Sequence, residues 1–131
     1  MKQEKYVAYV GTYTYEHSIG IHIYDLDVLN GTNLYEYYNH GTMKERKVIE
    51  INNPSDLIVS TNGKFLYSIT DEGVKSFKVL PDGDLEPMNE QWIGGMRGCY
   101  IDVDRENRYL YVAGYHDGRV SMMNINEDGS V

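Results

Sequence analysis

A chain of 131 residues, 41% of them hydrophobic, is long enough for one domain with a modest core and too apolar to be disordered. Its formal net charge of -8 repels the phosphates of nucleic acid, and it means that any anionic ligand needs a local basic pocket. With Cys99 as the single cysteine, an internal disulfide and a thiolate metal site are both excluded.

No run approaches the ~18 apolar residues needed to span a bilayer, and the opening MKQEKYVAYVGTYT lacks the apolar stretch of a signal peptide. A cytoplasmic protein with neither membrane nor nucleic acid as partner is expected. Tyrosine outnumbers the other aromatics, 13 Tyr against 2 Phe and 1 Trp. Tyrosine favours strands and half-wet surfaces, where the ring packs and the hydroxyl stays hydrated.

The first elements are strands at YVAYVGTY (6–13) and SIGIHIYDL (18–26), where Ile19, Ile21 and Ile23 alternate with Gly20, His22 and Tyr24. Alternation of this kind marks a half-buried strand. Lys47–Ile51 reads as a closing strand. Between them, residues 30–46 read as an insertion whose Tyr35, Tyr37 and Tyr38 form an exposed patch or a lengthened outer hairpin. Asn30-Gly31-Thr32 fits a glycosylation sequon formally, without consequence in a cytoplasmic chain.

Four strands are expected next, at 56–60, 65–70, 73–79 and 85–92, and then three more at 99–103, 109–114 and 119–125. The turns between them are Thr61-Asn62-Gly63-Lys64, Pro81-Asp82-Gly83-Asp84, His116-Asp117-Gly118 and Glu127-Asp128-Gly129-Ser130. Asn-Gly and Asp-Gly supply the positive φ that tight hairpins need. The pattern repeats: Leu-Tyr recurs from 66–67 to 110–111, an offset of 44, and Asp-Gly from 82–83 to 128–129, an offset of 46. A four-stranded propeller blade repeats at about 40–50 residues. The expectation is a single all-β domain over 1–131, a partial β-propeller of two to three four-stranded antiparallel blades, with units at approximately 1–52, 53–93 and 94–131.

Five segments in this order, YVGTYT, IYDLD, NNPSDLIVSTNGKFLYSIT, GVKSFKVLPDGDLEP and GCYIDVDRENRYLYVAGYHDGRV, resemble the lactonase seven-bladed β-propeller family, which includes propeller-type 6-phosphogluconolactonases and carboxymuconate cyclases. The resemblance covers the chain apart from 30–46. It implies the N-terminal portion of a seven-bladed ring and, for the complete ring, hydrolysis of a sugar lactone such as 6-phosphogluconolactone, with no metal or organic cofactor. Fewer than seven blades leave blade faces uncovered, through which self-association is expected.

In a meander running outward from a central channel, alternate turns share a face. One rim then collects Glu16-His17, Asn52–Ser55, Asp71-Glu72, Met96–Gly98 and Tyr115–Asp117. Opening a lactone needs a water nucleophile, a base and a donor to the carbonyl oxygen, and a phosphorylated substrate needs a cationic clamp. The candidates are Arg97 and Arg119 as substrate-binding groups and His116 and Tyr100 as catalytic ones. Each also has a bland reading, as solvated loop or channel-wall residues.

The family pattern usually reads Gly-Pro-Cys-His before the innermost strand and Asn-Tyr after the next. Here the corresponding residues are Arg97-Gly98-Cys99-Tyr100 and Gly114-Tyr115. Tyrosine, with a pKa of about 10, cannot replace histidine as a base near neutral pH. That difference keeps open a second class of function, a non-catalytic propeller-like module that binds a protein or carbohydrate. Asp102 and Asp104, two apart, read as a turn cap or as an acid pair. Cys99 reads as a small buried residue, and His22 as an outward strand residue.

Overall fold

The computed structural model describes residues 2–30 and 41–131. Ten strands and no helix are found among them. The segment carrying Tyr35, Tyr37 and Tyr38, and most of the sequon at Asn30–Thr32, lie outside the described residues.

The strands form three antiparallel meanders. The first sheet is β1 (Lys2–Val10), β2 (Gly20–Asn30) and β3 (Gly41–Glu50). The second is β4 (Leu57–Val59), β5 (Phe65–Ile69), β6 (Gly73–Val79) and β7 (Leu85–Trp92). The third is β8 (Tyr100–Val103), β9 (Tyr109–Gly114) and β10 (Arg119–Asn124). In the second and third sheets the strands lie where the sequence puts them, to within about a residue.

The first sheet needs a correction. Residues 41–46, expected within an insertion, belong to β3, and β1 and β2 pair all the way from Val10↔His22 to Lys2↔Asn30. The stretch GTMKER has no apolar alternation to announce a strand. It is held instead by its ladder to β2 and by ion pairing across it, with Arg46 Nε donating to both carboxylate oxygens of Asp25 at 3.1 and 3.2 Å.

Alternation decides the packing. In β5 the side chains of Leu66 and of Tyr67 and Ile69 point to opposite faces, and all are fully buried. Leu66, with Phe77 and Leu85, meets Ile21, Ile23 and Ile51 of the first sheet and the loop after it. Tyr67 and Ile69, with Val74, meet Ile101, Leu110 and Val112 of the third. The middle sheet is thus covered on both faces, which is why β5 reads as a continuous buried run. Burying each large aliphatic or aromatic side chain of these two layers contributes on the order of 2 kcal/mol.

The turns repeat in three dimensions as they do in sequence. Leu80 N–H donates to Asp84 O at 2.9 Å, and Asn126 N–H to Ser130 O at 2.8 Å. The glycines of the two turns, Gly83 and Gly129, have φ of 86° and 88°, a conformation that favours glycine. Each turn also receives a neighbouring tyrosine: Tyr9 Oη donates to Gly83 O at 2.5 Å, and Tyr67 Oη to Gly129 O at 2.9 Å.

Candidate functional site

Between the strands, the chain crosses one rim at Gly11–Ile19, Ile51–Asp56, Thr70–Glu72, Ile93–Cys99 and Tyr115–Gly118, and the turns at Asn62-Gly63, Asp82-Gly83 and Asp128-Gly129 fall on the other. Packing starts with Gly11. A Cβ there would lie 2.2 Å from the carbonyl oxygen of Pro54, so only glycine lets the Gly11-Thr12-Tyr13-Thr14 loop lie against Asn53-Pro54-Ser55. Pro54 itself is fully buried.

That contact sets up a polar chain. Asn53 holds a left-handed φ of 46°, which asparagine tolerates better than most residues. Its Oδ1 accepts from Thr14 N–H at 2.8 Å and Thr14 Oγ1 at 3.1 Å, while its own N–H donates to Thr14 Oγ1 at 3.2 Å. Its Nδ2 donates to Asp71 Oδ1 at 2.8 Å. Asp71 sits in a turn shaped by Thr70 Oγ1, which accepts from Gly73 N–H at 3.0 Å.

Arg97 completes the chain. Its Nη1 lies 3.6 Å from Asp71 Oδ1, and its guanidinium lies over the ring of Tyr13, 4.9 Å from the centroid. Tyr13 is in turn stacked with Tyr15, the rings 6.0 Å apart and 10° from parallel. Loops of all three sheets therefore converge on one arginine whose side chain is mostly covered, 22% exposed. An open cleft of roughly 600 Å³ beside this chain is lined by Glu50, Asp71, Glu72 and Glu90 with Lys75 as its cation. Its carboxylates disfavour an anion, so of these groups Arg97 is the one suited to hold a negative charge.

Arg119 lies apart from this cluster. It begins β10 and pairs with Asp117, Nη1 to Oδ2 at 3.8 Å. Asp117 Oδ2 also accepts Met96 N–H at 3.1 Å and thereby ties the Arg97 loop to the β9–β10 turn. The Met96 N–H, and after it the N–H and charge of Arg119, outweigh partial burial and hold the Asp117 carboxyl below its ordinary range. His116 is exposed in that turn, its ring 4.2 Å from that of Tyr115. Tyr100 is exposed. It alternates with the buried Ile101, so it lies on the face of the third sheet turned away from the second. No described contact joins His116 or Tyr100 to Arg97.

Three smaller expectations resolve here. Asp104 caps its turn, Oδ1 accepting Tyr109 N–H at 2.9 Å, and backbone donors, Tyr109 first, lower its pKa. Cys99 is only half-buried, not sealed in the core, because it lies at the loop edge of β8. His22 points outward and is partnered, with Nε2 2.9 Å from Ser18 Oγ and Nδ1 bonded to Glu45. The glycine at 98 has a packing reason: a Cβ there would lie 2.1 Å from Val112 Cγ1, so a proline would require the Val112 side chain to shift. Among the described residues, no group of three or more His, Cys, Asp or Glu is placed to hold a metal ion, and no helix is long and apolar enough to cross a membrane.

Tyr13, Thr14, Asn53 and Asp71 are the members of this cluster that sequence reasoning did not single out as site residues. The signal was present in the order YVGTYT … NNPSD, but side-chain bonds across 39 and 18 residues cannot be paired up from one sequence.

Residues 7–131 match the model of a family described as "Lactonase, 7-bladed beta-propeller". A 6-phosphogluconolactonase of Bacillus subtilis is 32% identical, covering 97% of this chain and 35% of that protein. One from Formosa agariphila is 30% identical over 94% of this chain and 35% of its own length. Among solved structures, a Bacteroides fragilis protein provisionally described as a 6-phosphogluconolactonase superimposes with a TM-score of 0.79 at 27% identity, over 96% of this chain and 34% of that one. The periplasmic gluconolactonase of Pseudomonas aeruginosa shares the fold, with a TM-score of 0.77 at 24% identity, over 98% of this chain and 36% of its own. The chain spans about a third of the length of the curated relatives it matches.

Proposed function

Because this chain belongs to the seven-bladed lactonase propeller family, we propose that it serves, as the N-terminal portion of a ring that acts when complete, the hydrolysis of a sugar lactone of the 6-phosphogluconolactone kind, with Arg97 as the anchor for the substrate's anionic group. The observation that carries this reading is the convergence of loops from all three sheets on the Arg97 guanidinium, held between the Tyr13 ring and Asp71. A guanidinium offers a planar fork of donors matched to phosphate or carboxylate oxygens.

Ring opening needs a water activated by a base and a donor for the carbonyl oxygen as it gains charge. His116, exposed at the same rim, is assigned the proton-handling role, and Arg119, paired with Asp117 in the adjoining turn, a separate substrate-binding role. Tyr100 is assigned a donor role and not that of a base, since an ordinary phenol keeps its proton near neutral pH. A cytoplasmic setting fits the unpaired thiol of Cys99.

The test is the conversion of 6-phosphogluconolactone by the complete propeller with this chain as its N-terminal portion. The product is consumed by an excess of NADP-dependent dehydrogenase, and the spontaneous rate is subtracted. Turnover above background, with KM raised about tenfold by Arg97→Ala and kcat changed less, is the expected outcome. A rate equal to the spontaneous one would overturn the hydrolytic reading. Binding of 6-phosphogluconate without turnover would favour the module that binds and does not catalyse.

A further inference from the structure

The clamp residue does not stand alone. A surface arginine samples many rotamers, and an anion that binds it must first freeze them. Arg97 has that freedom removed on two sides: the Tyr13 ring lies against its guanidinium at 4.9 Å and the Asp71 carboxylate flanks it at 3.6 Å. Asp71 is 45% exposed and on its own is free to turn away. What fixes it is the 2.8 Å bond from Asn53 Nδ2. Asn53 is fixed in turn by its three bonds to Thr14 and by a backbone held at φ 46°. Thr14 follows Tyr13, so the same loop supplies both the anchor of Asn53 and the ring beneath Arg97.

From this closed loop of contacts we infer that Asn53 and Asp71 are positioning residues, which hold the Arg97 guanidinium ready for an anionic ligand. The inference rests on the reading of Arg97 as an anion anchor, and it adds two residues that touch no substrate. Two effects oppose each other at Asp71. Its charge repels an incoming anion, while its contact orders the arginine. Asn53 separates them, because it is neutral and removing it alters order without altering charge.

The decisive variant is therefore Asn53→Gly. Glycine accepts the left-handed backbone and deletes both arms of the side chain. In the full chain, two quantities are measured for wild type, Asn53→Gly, Arg97→Ala and the double variant. One is the Kd for 6-phosphogluconate. The other, in the two proteins that retain Arg97, is the nuclear relaxation of its Nε–H. Asn53→Gly is expected to release the Arg97 side chain and weaken binding about threefold to tenfold. The same change in the Arg97→Ala background is expected to do nothing, since interacting residues couple and independent ones add.

Asp71→Asn is the second variant, and it too is expected to mobilise Arg97. If Arg97 is as ordered in both variants as in wild type, the inference is overturned. If Asn53→Gly weakens binding equally with and without Arg97, it is overturned as well, for the effect then does not pass through the arginine. If Arg97 is released but Arg97→Ala leaves the Kd unchanged, the positioning holds and the anion-anchor reading fails.

Discussion

Tyr67 shows what a single hydroxyl does in this fold. The side chain is fully buried between the second and third sheets, and its Oη donates to the carbonyl of Gly129, itself buried, at 2.9 Å. Tyr67→Phe leaves that carbonyl without its partner, at a cost of about 1–2 kcal/mol. Burial, with a smaller contribution from Asp128, pushes the Tyr67 pKa up to about 12. The folded state therefore keeps its proton at pH values where the unfolded chain, with a phenol near 10, has lost it. Stability from this group is complete below about pH 10 and falls as pH rises from about 10 to 12, since the unfolded state then binds fewer protons than the native one. Urea unfolding followed across that range is expected to show the decline in wild type and a smaller one in Tyr67→Phe. Equal slopes would show that another group governs alkaline unfolding. The abundance of tyrosine, read from sequence as a sign of half-wet surfaces, thus has a second cause: Tyr9 and Tyr67 carry hydroxyls into the packed layers because a glycine carbonyl waits there.

At the scale of elements, how much the sequence shows depends on how local the signal is. Strands β4 to β10 were legible because their alternation and their Asn-Gly and Asp-Gly turns are short-range. Of β3 only the end from Lys47 was, because Thr42–Arg46 carries no alternation and is a strand by virtue of its partner β2; pairing context overrides intrinsic preference. The candidate site divides in the same way. That Arg97 shares a rim with Asn53 and Asp71 follows from strand count, but their bonding to one another needs the actual twist of each loop. One such long-range tie joins two sheets: Asp56 Oδ2 accepts the N–H of Ile101 at 2.9 Å, while the Asp56 carbonyl accepts that of Ile69 at 3.0 Å. Asp56→Ala removes the first bond and leaves the second. The expected result is a loss of about 1–2 kcal/mol, concentrated at the inner edge of the third sheet. Amide exchange at Ile101 should accelerate more than at Leu66 in the middle sheet. Equal acceleration at both would mean that the tie acts only through global stability.

For the whole molecule, the internal repeat says which exposed surface matches a buried one. The face of the second sheet that carries Tyr67 and Val74 is buried by the third sheet. At the offsets of 44 and 46, the matching positions on the third sheet are Tyr111 and Val120, and Met122 lies opposite Tyr111 in the β9–β10 ladder. These three are 38%, 75% and 61% exposed. A surface built from the same pattern as a core layer, yet open to water, favours association. The net charge of -8 opposes it by repulsion between copies, a force that salt screens. The two effects predict a particular dependence. The mass of the chain measured by light scattering should rise with protein concentration, and rise further when salt is raised from low to physiological strength. Val120→Lys with Met122→Lys places charge on the open face while leaving Leu110 and Val112, on its buried side, untouched. That double variant is expected to remain monomeric under conditions where wild type associates. If wild type is monomeric at every concentration and salt strength, the open face does not drive self-association. If the double variant associates as wild type does, the contact lies elsewhere, and the exposed residues of the first sheet, Tyr6 and Met43, become the surface to substitute.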